Sequence, residues 1–294
     1  MNKNSNLITL IVLGVIWSSF ALFTKICAEV LSPCFISFSR LALAFIMLYA
    51  PCLLQGKKVF VAQNFKYYAV IGFFNSALPF TLFAFASKNL DSGVVAILDG
   101  TVSIFELLIS IFFLKRLVSK NAILGAALGI FGIAITYLSN GLALEFTGPH
   151  FISVTSILLA TFSFAVASIY LNENCKTIDA VILATGSVCF ATLILSPILF
   201  FTDYSVINLR TTWAMLGLGL ICTGGAYILY FKLLTEESPR VAVSVALIIP
   251  ILGVIFGAVF LGEELTLNKI VGCVAILISV KFVLNISWKN FSKS

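Results

Sequence analysis

Apolar stretches long enough to cross a bilayer follow one another along almost the whole chain. The polar residues between them come in short groups: Gln55-Gly56-Lys57-Lys58, Asn89-Leu90-Asp91, Ser139-Asn140-Gly141 and Glu236-Glu237-Ser238-Pro239. A hydrocarbon core of ~30 Å needs about twenty helical residues at 1.5 Å each. Inside it, backbone polar groups find no water, so only helices and closed barrels can span it. The alternating apolar/polar pattern of a barrel strand is absent here. Of the 294 residues, 61% are hydrophobic and 10% charged. Soluble domains carry about 25% charged residues, so that class is excluded. The expectation is an all-α polytopic membrane protein.

Ten spans are expected: 6–27, 32–54, 66–87, 92–114, 121–142, 150–171, 179–201, 211–235, 239–261 and 268–288. The first is too long for a signal-peptide core and no small-x-small cleavage site follows it, so it reads as a retained helix. With the N-terminus in the cytoplasm, twelve Lys and Arg residues, Lys57, Lys58, Lys115 and Arg116 among them, fall on the cytoplasmic side. Only Lys25, Lys88, Arg210 and Lys269 fall opposite. That imbalance places both termini in the cytoplasm and the protein in the cytoplasmic (inner) membrane.

A single offset of 147 residues aligns the two halves, 1–147 and 148–294, without a gap: Gly125 with Gly272, Trp17 with Phe164, Phe80 with Tyr227, Phe83 with Tyr230, and Phe113-Leu114 with Phe260-Leu261. Five spans per half is an odd number, so the halves enter the membrane from opposite sides. Such inverted repeats are the architecture of secondary transporters with a site between the halves.

Two carboxylates, Asp99 and Glu106, lie inside the fourth span. An intramembrane carboxylate costs roughly 2.5–3.5 kcal/mol on insertion scales, so both must be hidden from lipid. Their spacing of seven residues puts them on one helix face, extended by Ser103 and Ser110. Arg40 lies about 12 Å into the second span and Asp99 about 10 Å into the fourth, both counted from the outside, so an Arg40–Asp99 pair is expected. That pair reads equally as a gate or as a static tie between helices. Glu106, about 21 Å deep, meets no basic residue at its level. It suits a proton-coupling site or a ligand for a substrate ammonium; the plainer reading is a carboxyl hydrogen-bonded to the next helix.

Trp17, Tyr227 and Tyr230 offer aromatic faces with one polar handle each and are candidates for enclosing a substrate, although most of the aromatics in such a chain face lipid or pack. Asn75, Ser76 and Pro79 interrupt the third span and Thr223-Gly224-Gly225 the eighth, at repeat-equivalent positions. Matched interruptions point to a binding site. Pro79, Gly224, Gly225 and Pro250 are the candidate hinges. Gly125-x-x-x-Gly129 with Gly132, and Gly253-x-x-x-Gly257, read as helix-packing faces. The seven cysteines are scattered and read as small buried hydrophobes; Cys27 and Cys34 are near enough in sequence to bridge, but nothing favours it.

The residues Gly14 to Ser19, Phe38-Ser39-Arg40-Leu41, Ser238 to Val243, Ile249-Pro250 and Phe260 to Leu265 together resemble the drug/metabolite transporter superfamily, in its EamA-type ten-helix form. The resemblance covers essentially the whole chain. It implies two five-helix repeats around a central cavity lined by the first four helices of each. The fifth and tenth helices would form a peripheral surface, able to support a homodimer. The first repeat departs from the pattern: Ser103 stands where a proline is expected, and Lys115-Arg116 where Gly-Glu is expected.

No nucleotide-binding loop and no metal-ligand cluster occurs in the sequence, so no enzyme chemistry, cofactor or metal is expected. The basic residues lie between apolar runs, which is not a nucleic-acid footprint. The expected partners are a small-molecule substrate, the lipid bilayer and protons as the coupling ion. The leading expectation is a secondary transporter of small polar metabolites, amino acids and related ammonium compounds first among them. A flippase for a lipid-linked carrier and an accessory membrane subunit without transport activity remain the alternatives.

Overall fold

The computed structural model describes residues 3–138, 147–236 and 244–284, and the side chains of all of these but 3–7 and 234–236. Within these residues helical segments fall into ten groups. They are α1 (Lys3–Ala28), α2 (Pro33–Leu54), α3 (Ala62–Ala86), α4 (Ser92–Phe112), α5 (Lys120–Tyr137), α6 (Gly148–Asn174), α7 (Ala180–Phe201), α8 (Leu209–Glu236), α9 (Ile249–Leu261) and α10 (Leu267–Val283). The first eight are long and apolar enough to cross a bilayer, and α9 is a shorter apolar helix. The expected ends of the fifth, ninth and tenth spans lie outside the described residues.

Local chemistry sets the helix starts. Side-chain oxygens of Ser32, Ser119, Asp179 and Thr266 accept backbone N–H groups at the first turns of α2, α5, α7 and α10. Asn208 and Thr211 form a reciprocal capping box on α8. Gly262, at φ 69°, ends α9 in the left-handed region that a glycine enters without strain.

The packing repeats itself under the 147-residue offset. α1 packs on α8 and α9, and α6 packs on α3 and α4; α2 packs on α8, and α7 on α3. The pairs α2–α7, α4–α9 and α5–α10 join equivalent helices of the two halves. Gly72 on α3 approaches the Ser187 carbonyl of α7, and its partner Gly219 on α8 approaches the Arg40 carbonyl of α2. Lipid tails are as apolar as leucine, so helices in a bilayer associate through such small-residue contacts rather than by hydrophobic burial.

The ion pairs sort the helix ends. Lys57 meets Asp179 at 2.9 Å and Arg116 meets Glu173 at 2.6 Å, which puts the starts of α3, α5 and α7 and the end of α6 together. Arg210 meets Glu29 at 3.2 Å and Lys269 meets Asp91 at 2.6 Å, which gathers the end of α1 with the starts of α4, α8 and α10. We call these the basic end and the opposite end. α1 thus arrives at the opposite end and α6 at the basic end, so the halves run in opposite senses.

The small residues of α5 pack as expected: Gly125, Gly129 and Gly132 are covered by Phe282, Ser279 and Ile276 of α10 and Ile104 of α4. All seven cysteines are free thiols, and five of them are buried.

Candidate functional site

Four helices lose regular α geometry at the middle of the molecule. α3 passes through a π segment at Phe73–Ala77, and α8 through one at Gly217–Gly225. The two overlap under the 147-residue offset, as the paired interruptions in the sequence suggest. α4 breaks after Asp99, at Gly100 and Thr101, and resumes at Val102. α9 begins at Ile249 after a 3-10 turn at Ser244–Leu247, the equivalent place. Pro250 sits in the first turn of α9, where its missing N–H costs nothing. α4 has no proline and breaks by other means. The Thr101 hydroxyl bonds back to the Leu98 carbonyl at 2.7 Å and lies 2.8 Å from the Thr161 hydroxyl of α6. The expectation of one unbroken fourth helix is therefore corrected.

The break consumes Ser103. Its Oγ donates to the Gly100 carbonyl at 3.1 Å and the residue is buried, so it braces the chain instead of extending a polar face into the cavity. Asp99 and Glu106 are each half-buried. Asp99 lies within electrostatic range of Arg40 on α2, and Glu106 within range of Tyr230 on α8.

Arg40 makes no ion pair with Asp99 within 4.0 Å. Its Nε donates to Thr223 Oγ1 at 2.7 Å, and its guanidinium lies 3.6 Å from the centroid of the Phe80 ring. The π segment explains this. By widening α8 it leaves the Thr223 hydroxyl bonded to Leu218, five residues back, at 2.8 Å and aimed at α2. The ring face of Phe80 then stabilises the cation. Among the described residues, the Nη groups of Arg40 have no hydrogen-bond partner.

The remaining candidates converge on the same space. Trp17 stacks obliquely on Tyr230, centroids 5.3 Å apart. Asn75 Nδ2, within the π segment of α3, donates to Tyr227 Oη at 3.4 Å, and Tyr227 is within electrostatic range of Arg40. All of Trp17, Asn75, Tyr227 and Tyr230 are half-buried. The hinge candidates have packing roles: Pro79 is buried just after the π segment, and Gly224 lets Met47 of α2 come close. Gly225 closes the π segment of α8.

One residue escaped sequence reasoning: Ser168 of α6 lies beside the Glu106 carboxylate. Thr223, read in the sequence only as part of a helix interruption, also holds Arg40. A lone serine in an apolar run carries no signal until the fold shows what faces it.

The two halves differ in what they present. Under the offset, the Trp17–Tyr230 pair corresponds to Phe164–Phe83, whose centroids are 6.0 Å apart. The first pair is partly open and carries an indole N–H and a phenol. In the second, Phe83 is sealed and neither ring has a polar handle. Arg40 corresponds to Ser187, Asp99 to Ala246 and Glu106 to Gly253. A near-symmetric frame therefore holds an unsymmetric set of charges.

The model of the EamA-like transporter family matches this chain twice, over residues 4–138 and 151–285, and the two matches are 147 residues apart. The chain is 22% identical over 266 residues to the uncharacterized transporter YoaV of Bacillus subtilis strain 168, covering 89% of this chain and 90% of that one. It is 27% identical to the uncharacterized inner membrane transporter YedA of Escherichia coli K12, covering 89% and 84%. Protein PagO of Salmonella typhimurium is 23% identical, covering 95% and 93%. A protein of known crystal structure superposes with a TM-score of 0.67 over 96% of both chains at 16% identity, a likeness of fold.

Proposed function

The chain belongs to the EamA-like transporter family, and from that premise we propose that it is a secondary transporter of small polar metabolites bearing an ammonium group, amino acids first among them. One observation carries this reading. Arg40, whose Nη groups have no hydrogen-bond partner among the described residues, lies within electrostatic range of Asp99 and Tyr227, and Tyr230 lies within range of Glu106 and Tyr227.

Arg40 is suited to a substrate carboxylate, because its guanidinium is fixed at Nε by Thr223 and presents its Nη groups as a fork. Glu106 is suited to the ammonium, with Trp17 and Tyr230 as the aromatic wall beside it. Asp99 balances Arg40 when no substrate is present. Glu106 takes up a proton when the ammonium leaves, which couples transport to the proton gradient. The halves 1–147 and 148–294 act as the two rocking units, with the broken fourth and ninth helices between them. The cell site is the cytoplasmic membrane, with both termini in the cytoplasm. The work is carriage, with no covalent step.

Transport into proteoliposomes under an imposed proton gradient tests this reading. Wild-type protein should accumulate substrate, and Glu106→Gln should lose both the accumulation and its pH dependence. Accumulation by Glu106→Gln at the wild-type rate would refute the assignment. Labelling of Lys57→Cys by an impermeant maleimide only in inverted vesicles tests the orientation; labelling in intact cells contradicts it.

A further inference from the structure

At the opposite end, four helices are tied by partly buried contacts that have no counterpart among the described residues of the basic end. Glu263, just past α9, accepts hydrogen bonds from the Ser92 and Gly93 N–H groups at 2.6 and 3.0 Å. These are orphan donors at the first turn of α4. Asp91, the residue placed to cap that turn, does not do so. Its carboxylate goes to Lys269 of α10 at 2.6 Å, and Lys269 also donates to the Glu264 carbonyl at 2.7 Å. Lys25 of α1 donates to the Leu90 carbonyl at 2.9 Å. Lys269 is buried, with 3% of its side chain exposed. α4 and α9 come this close because Gly93 and Gly257 face each other's helices: a Cβ on Gly257 would run into Glu263 and Ser92.

A cavity of about 860 Å³ lies directly over these ties, with Lys25, Asp91, Glu263 and Lys269 in its lining. These ties therefore form part of the cavity's wall. The contacts are also incomplete, since Ser92 Oγ is buried without a hydrogen-bond partner. A buried hydroxyl left unpaired costs free energy, so this arrangement is not the tightest the residues could adopt.

The 147-residue offset places different residues at the basic end. Arg116 stands for Glu263, Ala122 for Lys269, Ser238 for Asp91, Asn172 for Lys25 and Ser110 for Gly257. An arginine has only donors and cannot accept N–H groups from a helix start. The ion pairs that do form at that end, Lys57–Asp179 and Arg116–Glu173, are between 30% and 57% exposed. Exposed pairs of this kind hold little.

We infer that Glu263, with Lys269 and Asp91, is a gate latch: it holds the opposite end shut in this conformation, and its release from the start of α4 opens that end. The asymmetry of the two ends makes it the specific element that biases the protein between its two access states. This inference does not depend on which substrate is carried.

The test uses spin-label distances in lipid nanodiscs, on full-length protein whose seven native cysteines are replaced. One label pair at Lys88 and Leu267 reports on the opposite end, and another at Lys58 and Lys176 on the basic end. Wild-type protein should show a short, dominant distance at the opposite end. Glu263→Gln and Lys269→Met should each add a longer population there, with the basic-end distance unchanged or shorter. Unaltered distances in both variants would overturn the inference. So would broadening at both ends, which marks ties that merely stabilise the fold. Should Glu263→Gln fail to fold, Lys269→Met carries the same comparison.

Discussion

Helices α4 and α9 occupy equivalent places and pack against each other, yet among the described residues only α4 carries charge. Where α4 has Asp99, Ser103 and Glu106, the second half has Ala246 in the turn before α9 and Pro250 and Gly253 on α9. Gly253 is needed for the frame, because a Cβ there would run into Ala96 of α4. Glu106 is only half-buried and meets no such close backbone approach. The difference teaches that the repeat builds a near-symmetric frame, while the carboxylates sit on one helix of the pair alone.

Substitutions on the two helices should therefore fail in different ways. The largest effect belongs to Glu106→Gln. Hydrogen bonds to charged groups are worth roughly 1.5–3 kcal/mol, so substrate affinity should fall about ten- to hundredfold with the thermal midpoint nearly unchanged. Gly253→Ala should do the reverse. Forcing a methyl between α4 and α9 costs about 1–3 kcal/mol, read as a lower thermal midpoint in the purified protein. If Glu106→Gln unfolds the protein or Gly253→Ala is silent, the division between frame and chemistry is lost.

Thr223→Val comes next. It leaves the Nε of Arg40 without its partner, so affinity should fall severalfold in a binding isotherm and return with Thr223→Ser. The two aromatic pairs give a finer contrast. Tyr230→Phe should weaken binding only slightly while folding normally. Phe83→Tyr should instead destabilise by about 1–3 kcal/mol, because its hydroxyl would be buried without a partner. Equal behaviour of the two would mean that the second pair also faces the chamber.

The smallest effect is at the basic end. Burial raises the Asp179 carboxyl, but hydrogen bonds from Lys57 and from the Ile182 and Val181 N–H groups outweigh this and hold it below the usual carboxylate range. Its contribution to stability is thus complete above the ordinary carboxylate pKa of ~3.9 and is lost as pH falls through the lower native value. The pair is partly exposed, so Asp179→Asn should cost less than about 1 kcal/mol above pH ~5 and nothing in strong acid. Acid titration of the thermal midpoint checks this.

Spans, loops and repeat offset were legible because bilayer thickness and the need to satisfy every backbone group leave few choices. The paired interruptions at Asn75 and Thr223 were legible for the same reason: each lies among glycine, proline and polar residues in an otherwise apolar run. The break in α4 was not, because Gly100 and Thr101 act through a contact with Thr161, sixty residues away. Matching Arg40 to Asp99 by depth failed for a related reason. Depth orders residues along the membrane normal but not around the bundle, and Thr223 and Phe80 meet the guanidinium from other helices. The ties at Glu263 were hidden because a Gly-Glu after a helix reads as a turn until the start of α4 is placed beneath it.

The central claim is tested most directly by equilibrium binding to purified wild-type protein and to Glu106→Gln, using amino acids alongside matched carboxylic acids that lack the ammonium. Wild-type protein should bind the amino acids and reject the analogues, and Glu106→Gln should lose that discrimination. Equal binding of both classes by wild-type protein, or discrimination retained by Glu106→Gln, would contradict it.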